Sequence, residues 1–350
     1  MAKKIRIIGV FGLICTTLFI MLSSCSDHTN YEVDTSGFEV EIPINRLEDD
    51  LMNVNHPEQY ANLNKLDSLF ILQYKQQIMM GITGEGRVDP LESAQAYIQF
   101  TQHPDIQDLY KTVQEKYPDL SAEQEALNDA LTHYRYYFRD RVIPRLITFI
   151  SPFNAANATT DETLAIGLDM YLGSDFGPYY SPTLQNKFPQ YKIDRCRRDY
   201  IVPNAVKAWL LKEFEIDNTD RRFLNQIIYE GKILHAMDRL LPQTPDSLKI
   251  GYHEGKIEWC KDNEVNIWNH IIQEDLLYSN DFQKFSGILT DGPFAKGNNV
   301  PPDAPPMIAI WTGWQIVRQY MAKNPETTLE QLMALNDPDA ILKGSGYKPG

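Results

Sequence analysis

Residues 3–25 decide how much of this chain is free to fold. Lys3, Lys4 and Arg6 make a short basic start, and an apolar run follows from Ile7 to Met21. That run is too short to span a bilayer comfortably as a helix, and it closes in small residues. Leu22-Ser23-Ser24-Cys25 ends it. An apolar residue, two small ones and an obligatory cysteine are what lipoprotein processing requires. The thiol takes a diacylglyceryl group, and cleavage leaves Cys25 as the new amino terminus. Residues 1–24 are therefore read as an export signal. Cys25 is read as the lipidated residue, its acyl chains (palmitate among them) holding the chain at a membrane. Each buried methylene adds about 0.8 kcal/mol to such anchoring.

Removing 24 of 350 residues leaves a mature chain of 326, and loss of three positive charges takes the net charge from −14 to −17. So acidic a protein repels nucleic acid, and a DNA or RNA role is excluded. The length suffices for one large domain with a sizeable core. Cys15 leaves with the signal, so Cys196 and Cys260 are the thiols beyond the anchor. An oxidising periplasm permits a disulfide between them, and two separately buried thiols fit equally well. Neither has the CxxC spacing of a redox or zinc site.

Residues 25–36 are short and polar, a tether between lipid and folded domain. Phe38, Val40, Ile42 and Ile44 alternate with Glu39, Glu41, Pro43 and Asn45, the period of a half-buried strand, and Pro43 predicts an edge or a bulge. Helical spacing is expected over 57–80, 91–100 and 105–117. Ser121-x-x-Gln124 is a capping-box pattern opening a helix to about Arg141. Two strand-like runs follow, 146–150 and 163–171, joined closely enough for an antiparallel hairpin. After a Gly/Pro/Tyr-rich loop at 173–189, helices are expected over 201–214, 220–241, 253–277, 308–322 and 329–334.

Residues able to carry catalysis are few. His253-Glu254 is the one HE dipeptide, and Ile257 stands where a zinc signature needs its second histidine. His235 sits inside a helix beside Leu234 and is read as packed or on the surface, not as a ligand. Asp161/Glu162 and Asp238/Arg239 read as solvated charges or salt bridges. Trp259, Trp268, Trp311 and Trp314 fall at helical spacings and read as core, with a sugar- or peptide-binding cleft as the other use of such rings.

Several strings in the chain are distinctive. They are Gly167-Leu168-Asp169-Met170-Tyr171-Leu172-Gly173, Glu230-Gly231-Lys232-Ile233-Leu234, Leu241-Pro242-x-Thr244-Pro245-Asp246 and Ile250-Gly251-Tyr252. Trp259-Cys260-x-Asp262-Asn263-Glu264, Gly313-Trp314-Gln315-Ile316-Val317-Arg318-x-Tyr320 and a final Gly346-Tyr347-Lys348-Pro349 complete them. Together they resemble the gliding-motility lipoprotein family, GldB type, of the Bacteroidetes. The resemblance covers most of the mature chain and implies an envelope lipoprotein, without implying that the host glides. A second, fold-level likeness is to zinc peptidases of the gluzincin type. There the helix Val202–Ala208 would correspond to one carrying two histidines, and Glu230 to the third zinc ligand. No histidine lies in 202–208, so that likeness implies a catalytically dead copy with Glu230 in a retained cleft.

The expected fold is α+β and predominantly helical, a small, largely antiparallel sheet covered by helices, on a degenerate zincin-like plan. Residues 37–350 form one helix-rich domain behind the tether. The expected function is a non-catalytic interaction or assembly factor for envelope machinery. A metal-dependent hydrolase of zincin-like fold and a ligand-binding lipoprotein of an uptake system are the alternatives. No cofactor is implied. The partners are a membrane, through the lipid, and envelope proteins. The anchor lies in the inner or outer membrane, with the domain facing the periplasm.

Overall fold

A computed structural model describes residues 31–53, 98–216, 219–253 and 255–350, and residues 32–350 fall in one compact unit. The signal run, Cys25 and the helix expected at 57–80 lie outside the described residues. Helix is present at 98–102, overlapping the end of the expected 91–100 stretch, whose residues 91–97 lie outside the described residues. Among the described residues no helix is long and apolar enough to cross a membrane.

The sheet has four strands, β1 (Ile44–Arg46), β2 (Arg145–Phe149), β3 (Asn157–Thr159) and β4 (Thr163–Gly167), in the order β1-β2-β4-β3. β1 and β2 pair in parallel, as do β2 and β4; β3 and β4 alone are antiparallel. The α+β, mainly helical class is therefore correct, and the largely antiparallel sheet is not. The two apolar runs do not form a hairpin with each other. The chain leaves β2, passes β4, returns as β3 and turns at 160–162 into β4, which slots between them. Every residue of β4 and the last four of β2 are buried, so no in–out alternation marked their direction.

The alternation at 38–44 is real, and most of it is spent on a helix. Helix α3 (Ser121–Tyr137) follows α1 (Leu47–Met52) and α2 (Pro104–Lys116). Its side chains Gln124, Asn128 and Thr132 accept hydrogen bonds from the backbone N–H groups of Ile44, Ile42 and Val40, at 2.9, 3.3 and 2.9 Å. Two residues of extended chain advance about 6.6 Å and four of helix about 6.0 Å, so the two repeats keep step over this length. Gln124 is thereby unavailable to cap its own helix. Leu120 occupies the N-cap without a side-chain bond, and Ser121 bonds Asp119 instead, so the expected capping box is absent. A complete box forms at Thr328 and Gln331.

The remaining elements are α4 (Gln190–Ile193), α5 (Ile201–Glu213), α6 (Phe223–Leu240), α7 (Asp246–Ile250), α8 (Lys256–Asp262), α9 (Glu264–Gln273), α10 (Phe282–Leu289), α11 (Ile308–Lys323), α12 (Leu329–Ala334) and α13 (Pro338–Ser345). The single helix expected over 253–277 is two helices. Asn263 takes the Trp259 carbonyl with its side chain (2.9 Å) and ends α8 as α9 begins. Helix α5 packs on β3 and β4, and α6 packs on α5 and against α11. Helices α6 and α11 touch backbone to backbone. A Cβ on Gly231 would lie 2.4 Å from the Gly313 carbonyl oxygen, and one on Gly313 would lie 1.9 Å from that of Ile227. The two glycine-bearing strings seen in the sequence are the two sides of this crossing.

Candidate functional site

The carboxyl ends of neighbouring parallel strands are where open α/β sheets gather ligands. Here the chain leaves β2 at Ser151 and leaves β4 through a 3₁₀ turn, Leu168–Met170, that carries Asp169. Asp169 is fully buried. Its carboxylate accepts the Ser151 N–H at 3.1 Å and the Phe153 N–H at 2.5 Å, and the Ser151 hydroxyl lies 3.4 Å away. Ser151 Oγ also accepts the N–H groups of Asn154 (3.1 Å) and Ala155 (3.0 Å). Those bonds hold Phe153 in the left-handed region, φ 60°, which is strained for an aromatic residue. Burial pushes the Asp169 carboxyl up to about 6, against the lowering effect of the N–H groups of Phe153 and Ser151.

The rest of the Gly167–Gly173 string secures the same loop. A Cβ on Gly167 would lie 2.1 Å from the Ala155 carbonyl oxygen, so only glycine lets the loop lie down. The Tyr171 hydroxyl accepts from Asn157 (3.3 Å) and Asn204 (3.1 Å). Tyr179 donates to the Asp169 carbonyl at 2.7 Å and accepts the Leu172 N–H at 3.1 Å.

This latched loop is one wall of an open groove of about 1010 Å³. Its apolar surface comes from Phe100, Ile106, Leu109, Phe153, Phe176 and Leu184. Phe153 packs edge-on against Tyr179 (5.6 Å), and Tyr179 stacks on Phe188 (5.1 Å), so the aromatic wall is built on a rigid base. Polar groups line the edges, among them Asp105, Asp108, Thr112, Asn154 and Thr183. Ser151 is the one hydroxyl at the loop's base, and no described imidazole hydrogen-bonds to it. Its oxygen holds backbone instead of being aimed at a substrate.

A second cavity, of about 290 Å³, lies at the ends of α5 and α12. Its cations serve the fold. Buried Lys232 donates to the carbonyls of Met333 and Leu335, each at 3.0 Å, and burial lowers its amine to about 8. Arg141 bonds both the carbonyl and the carboxylate of Glu213 (3.2 and 3.1 Å).

A polar cluster is buried between α6, α7 and α11. Asp238 accepts from Arg318, from Lys249 (3.0 Å) and from the Trp314 indole (2.9 Å), and His235 Nδ1 stands 3.6 Å away. The Arg318 guanidinium lies 3.8 Å above the Trp314 ring. Burial alone would raise the Asp238 carboxyl; His235, Arg318 and Lys249 outweigh it and hold it well below the carboxylate range. Burial lowers His235, leaving it neutral at pH 7. The paired-charge expectation for Asp238 holds, with Arg318 in place of Arg239 and with the pair wholly enclosed.

Glu230 does not line either cavity. It is about a quarter exposed and faces Lys207 of α5 at 3.6 Å. So the one carboxylate assigned to a metal-peptidase ligand set meets a lysine ammonium from the facing helix. Among the described residues no three His, Cys, Asp or Glu side chains come together as a metal-holding group. His253 pairs with Asp194 (3.5 Å) and lies apart from His235; Glu254 lies outside the described residues. Cys196 and Cys260 are free, buried thiols, donating to the Lys192 carbonyl (3.4 Å) and towards the Tyr252 hydroxyl (3.9 Å). Trp311 and Trp314 are core, while Trp259 and Trp268 are half-buried against Asp303 (2.9 Å) and Tyr347 (ring centroids 5.2 Å apart). None of these rings lines the groove, and the fifth tryptophan, Trp209, is buried core.

A family model described as "Gliding motility protein GldB" matches residues 28–349. No curated protein and no solved structure matches the chain, and the zincin-like likeness finds no support. With residues 28–349 of 350 matched, the chain belongs to the GldB gliding-motility family of lipoproteins.

Proposed function

We propose that this protein is a lipid-anchored, non-catalytic component of envelope machinery, tethered through Cys25 and acting by docking a partner in the groove beside Asp169. One observation carries the reading. The larger of the two described cavities is open and mostly apolar, and Ser151 and the Asp169 behind it are used up in fixing its wall. Such a site offers shape and burial, the requirements of binding, and its described imidazole, His103, is exposed and accepts the Asp105 N–H at the start of α2 (3.3 Å). The family match over 28–349 supports an envelope lipoprotein, and the basic start, apolar run and Cys25 supply the means of anchoring. Among the described residues the hydrolase reading has no metal-holding group behind it, and the uptake reading has no tryptophan lining the groove.

Complementation of a deletion strain tests both halves. Thr183 is exposed on the groove edge, so Thr183→Trp fills the groove without disturbing the core. Thr183→Trp and Cys25→Ala are each expected to fail to complement while giving a wild-type circular dichroism spectrum. Full complementation by folded Thr183→Trp contradicts the docking role, and full complementation by Cys25→Ala contradicts the anchor.

A further inference from the structure

The chemistry of the groove's edge narrows what can lie in it. We infer that its occupant is a peptide segment of a partner protein that presents bulky apolar side chains flanked by lysine or arginine. This rests on the docking reading above and specifies the partner's chemistry.

Charge is the first argument. Asp105 and Asp108 stand one turn apart near the start of α2, both exposed, beside the wall residues Ile106 and Leu109. No lysine or arginine lines the groove among the described residues. Asp105 meets only His103, at 3.9 Å, and Asp108 makes no ion pair among the described residues. Among the described residues the mouth therefore carries two carboxylates with no lysine or arginine paired to them. It repels a fatty-acid carboxylate or a lipid phosphate and attracts an ammonium or guanidinium group.

Hydrogen bonding is the second. Gln99, Ser181 and Thr183 interrupt the apolar part of the lining, while Thr112 already donates to the Asp108 carbonyl (2.9 Å) and Asn154 Oδ1 accepts from Lys187 (3.0 Å). An acyl chain laid along these groups would strip their water and return no hydrogen bond. A peptide backbone offers a donor and an acceptor at every residue and satisfies them. The volume, about 1010 Å³, is at the upper end of small-ligand pockets and suits several side chains in a row.

The test uses the full lipidated chain in zwitterionic nanodiscs. The probe is a 12-residue peptide of about equal leucine and lysine carrying a diazirine leucine. A leucine/glutamate twin and a diazirine fatty acid serve as the other arms. Crosslinks are mapped by mass spectrometry. Saturable labelling of segments 151–154 and 176–184 by the lysine peptide is expected. Labelling should fall about tenfold for the glutamate twin, for the Asp105→Lys/Asp108→Lys variant and in high salt. Equal labelling by both peptides, lost in Thr183→Trp, overturns the cationic assignment and leaves docking standing. Preferential labelling by the fatty acid overturns it in favour of lipid. No groove labelling by any probe overturns this inference, and Thr183→Trp complementation then decides the docking reading separately.

Discussion

Arg318 clasps Asp238 with two parallel hydrogen bonds, Nε to Oδ2 at 2.8 Å and Nη2 to Oδ1 at 2.7 Å, and turns its remaining edge to Asp246 at 2.8 and 2.9 Å. One side chain thus ties α11 to the end of α6 and the start of α7. Asp238 is wholly buried, so its charge depends on these partners. Arg318→Met leaves that carboxylate underpaired and is expected to cost about 3 kcal/mol in urea unfolding. Arg318→Lys keeps the charge and loses the fork, and should recover only part of that loss. Unchanged midpoints in both variants would show the cluster to be dispensable.

The α6–α11 crossing gives a sharper steric expectation. At 1.9 Å from the Ile227 carbonyl, a Gly313 Cβ cannot be absorbed by a rotamer change, because its obstacle is backbone. Gly313→Ala should destabilise by about 3 kcal/mol or more, the helices being forced apart. Gly231→Ala should do the same, through the Gly313 carbonyl at 2.4 Å. Thermal unfolding measures both, and a melting temperature within a degree or so of wild type would contradict the contact.

Asp169 makes the fold respond to acid in a definite direction. Burial pushes its carboxyl up to about 6 in the folded protein, against the ordinary 3.8 of an unfolded aspartate. Between those values the folded state binds the extra proton, so this group's contribution is largest below pH 4 and is lost as pH rises through 6. His235, lowered by burial, works the opposite way, so the comparison must be with Asp169→Asn. The stability difference, wild type minus Asp169→Asn, should grow by on the order of 2 kcal/mol as pH falls from about 7 to about 4.5. Parallel urea profiles across that range would rule the shift out.

The capping box at Thr328 offers a modest control. Thr328 Oγ1 accepts the Gln331 N–H at 3.1 Å, and Gln331 returns a bond to the Thr328 N–H at 2.9 Å. Thr328→Ala should cost about 1 kcal/mol, and Ser121→Ala, which removes no cap, markedly less. Equal losses in the two variants would contradict the assignment.

What could be read from the sequence followed from which signals are local. Helical spacing located α5, α6, α11 and α12 to within a few residues, because each buries a face of its own. Helices α13 and α10 lie outside the expected helices, although Asp337-Pro338, an N-cap followed by an N1 proline, and the N-cap Asp281 are local start signals for them. Strand direction was illegible, because β2 and β4 are buried too completely to show an alternation. Phe38 to Ile44 alternates, yet the alternation reports only half-burial and does not say that a helix, not a strand, takes the hydrogen bonds. The Gly167–Gly173 string was distinctive on sight, but its role depended on the 151–155 loop, whose backbone N–H groups leave no mark in a sequence. The groove draws its walls from three separated stretches of chain, near 99–112, 151–154 and 176–184. No spacing rule joins them.

The docking role is tested most directly inside cells. A photoreactive phenylalanine analogue in place of Phe176, which lines the groove, is compared with one in place of Phe294, which is exposed away from the lining residues. A single discrete protein adduct is expected from position 176, absent from position 294 and abolished by Asp105→Lys/Asp108→Lys. The same adducts from both positions, or none from 176 in a strain where the photoreactive chain complements fully, would contradict the docking role.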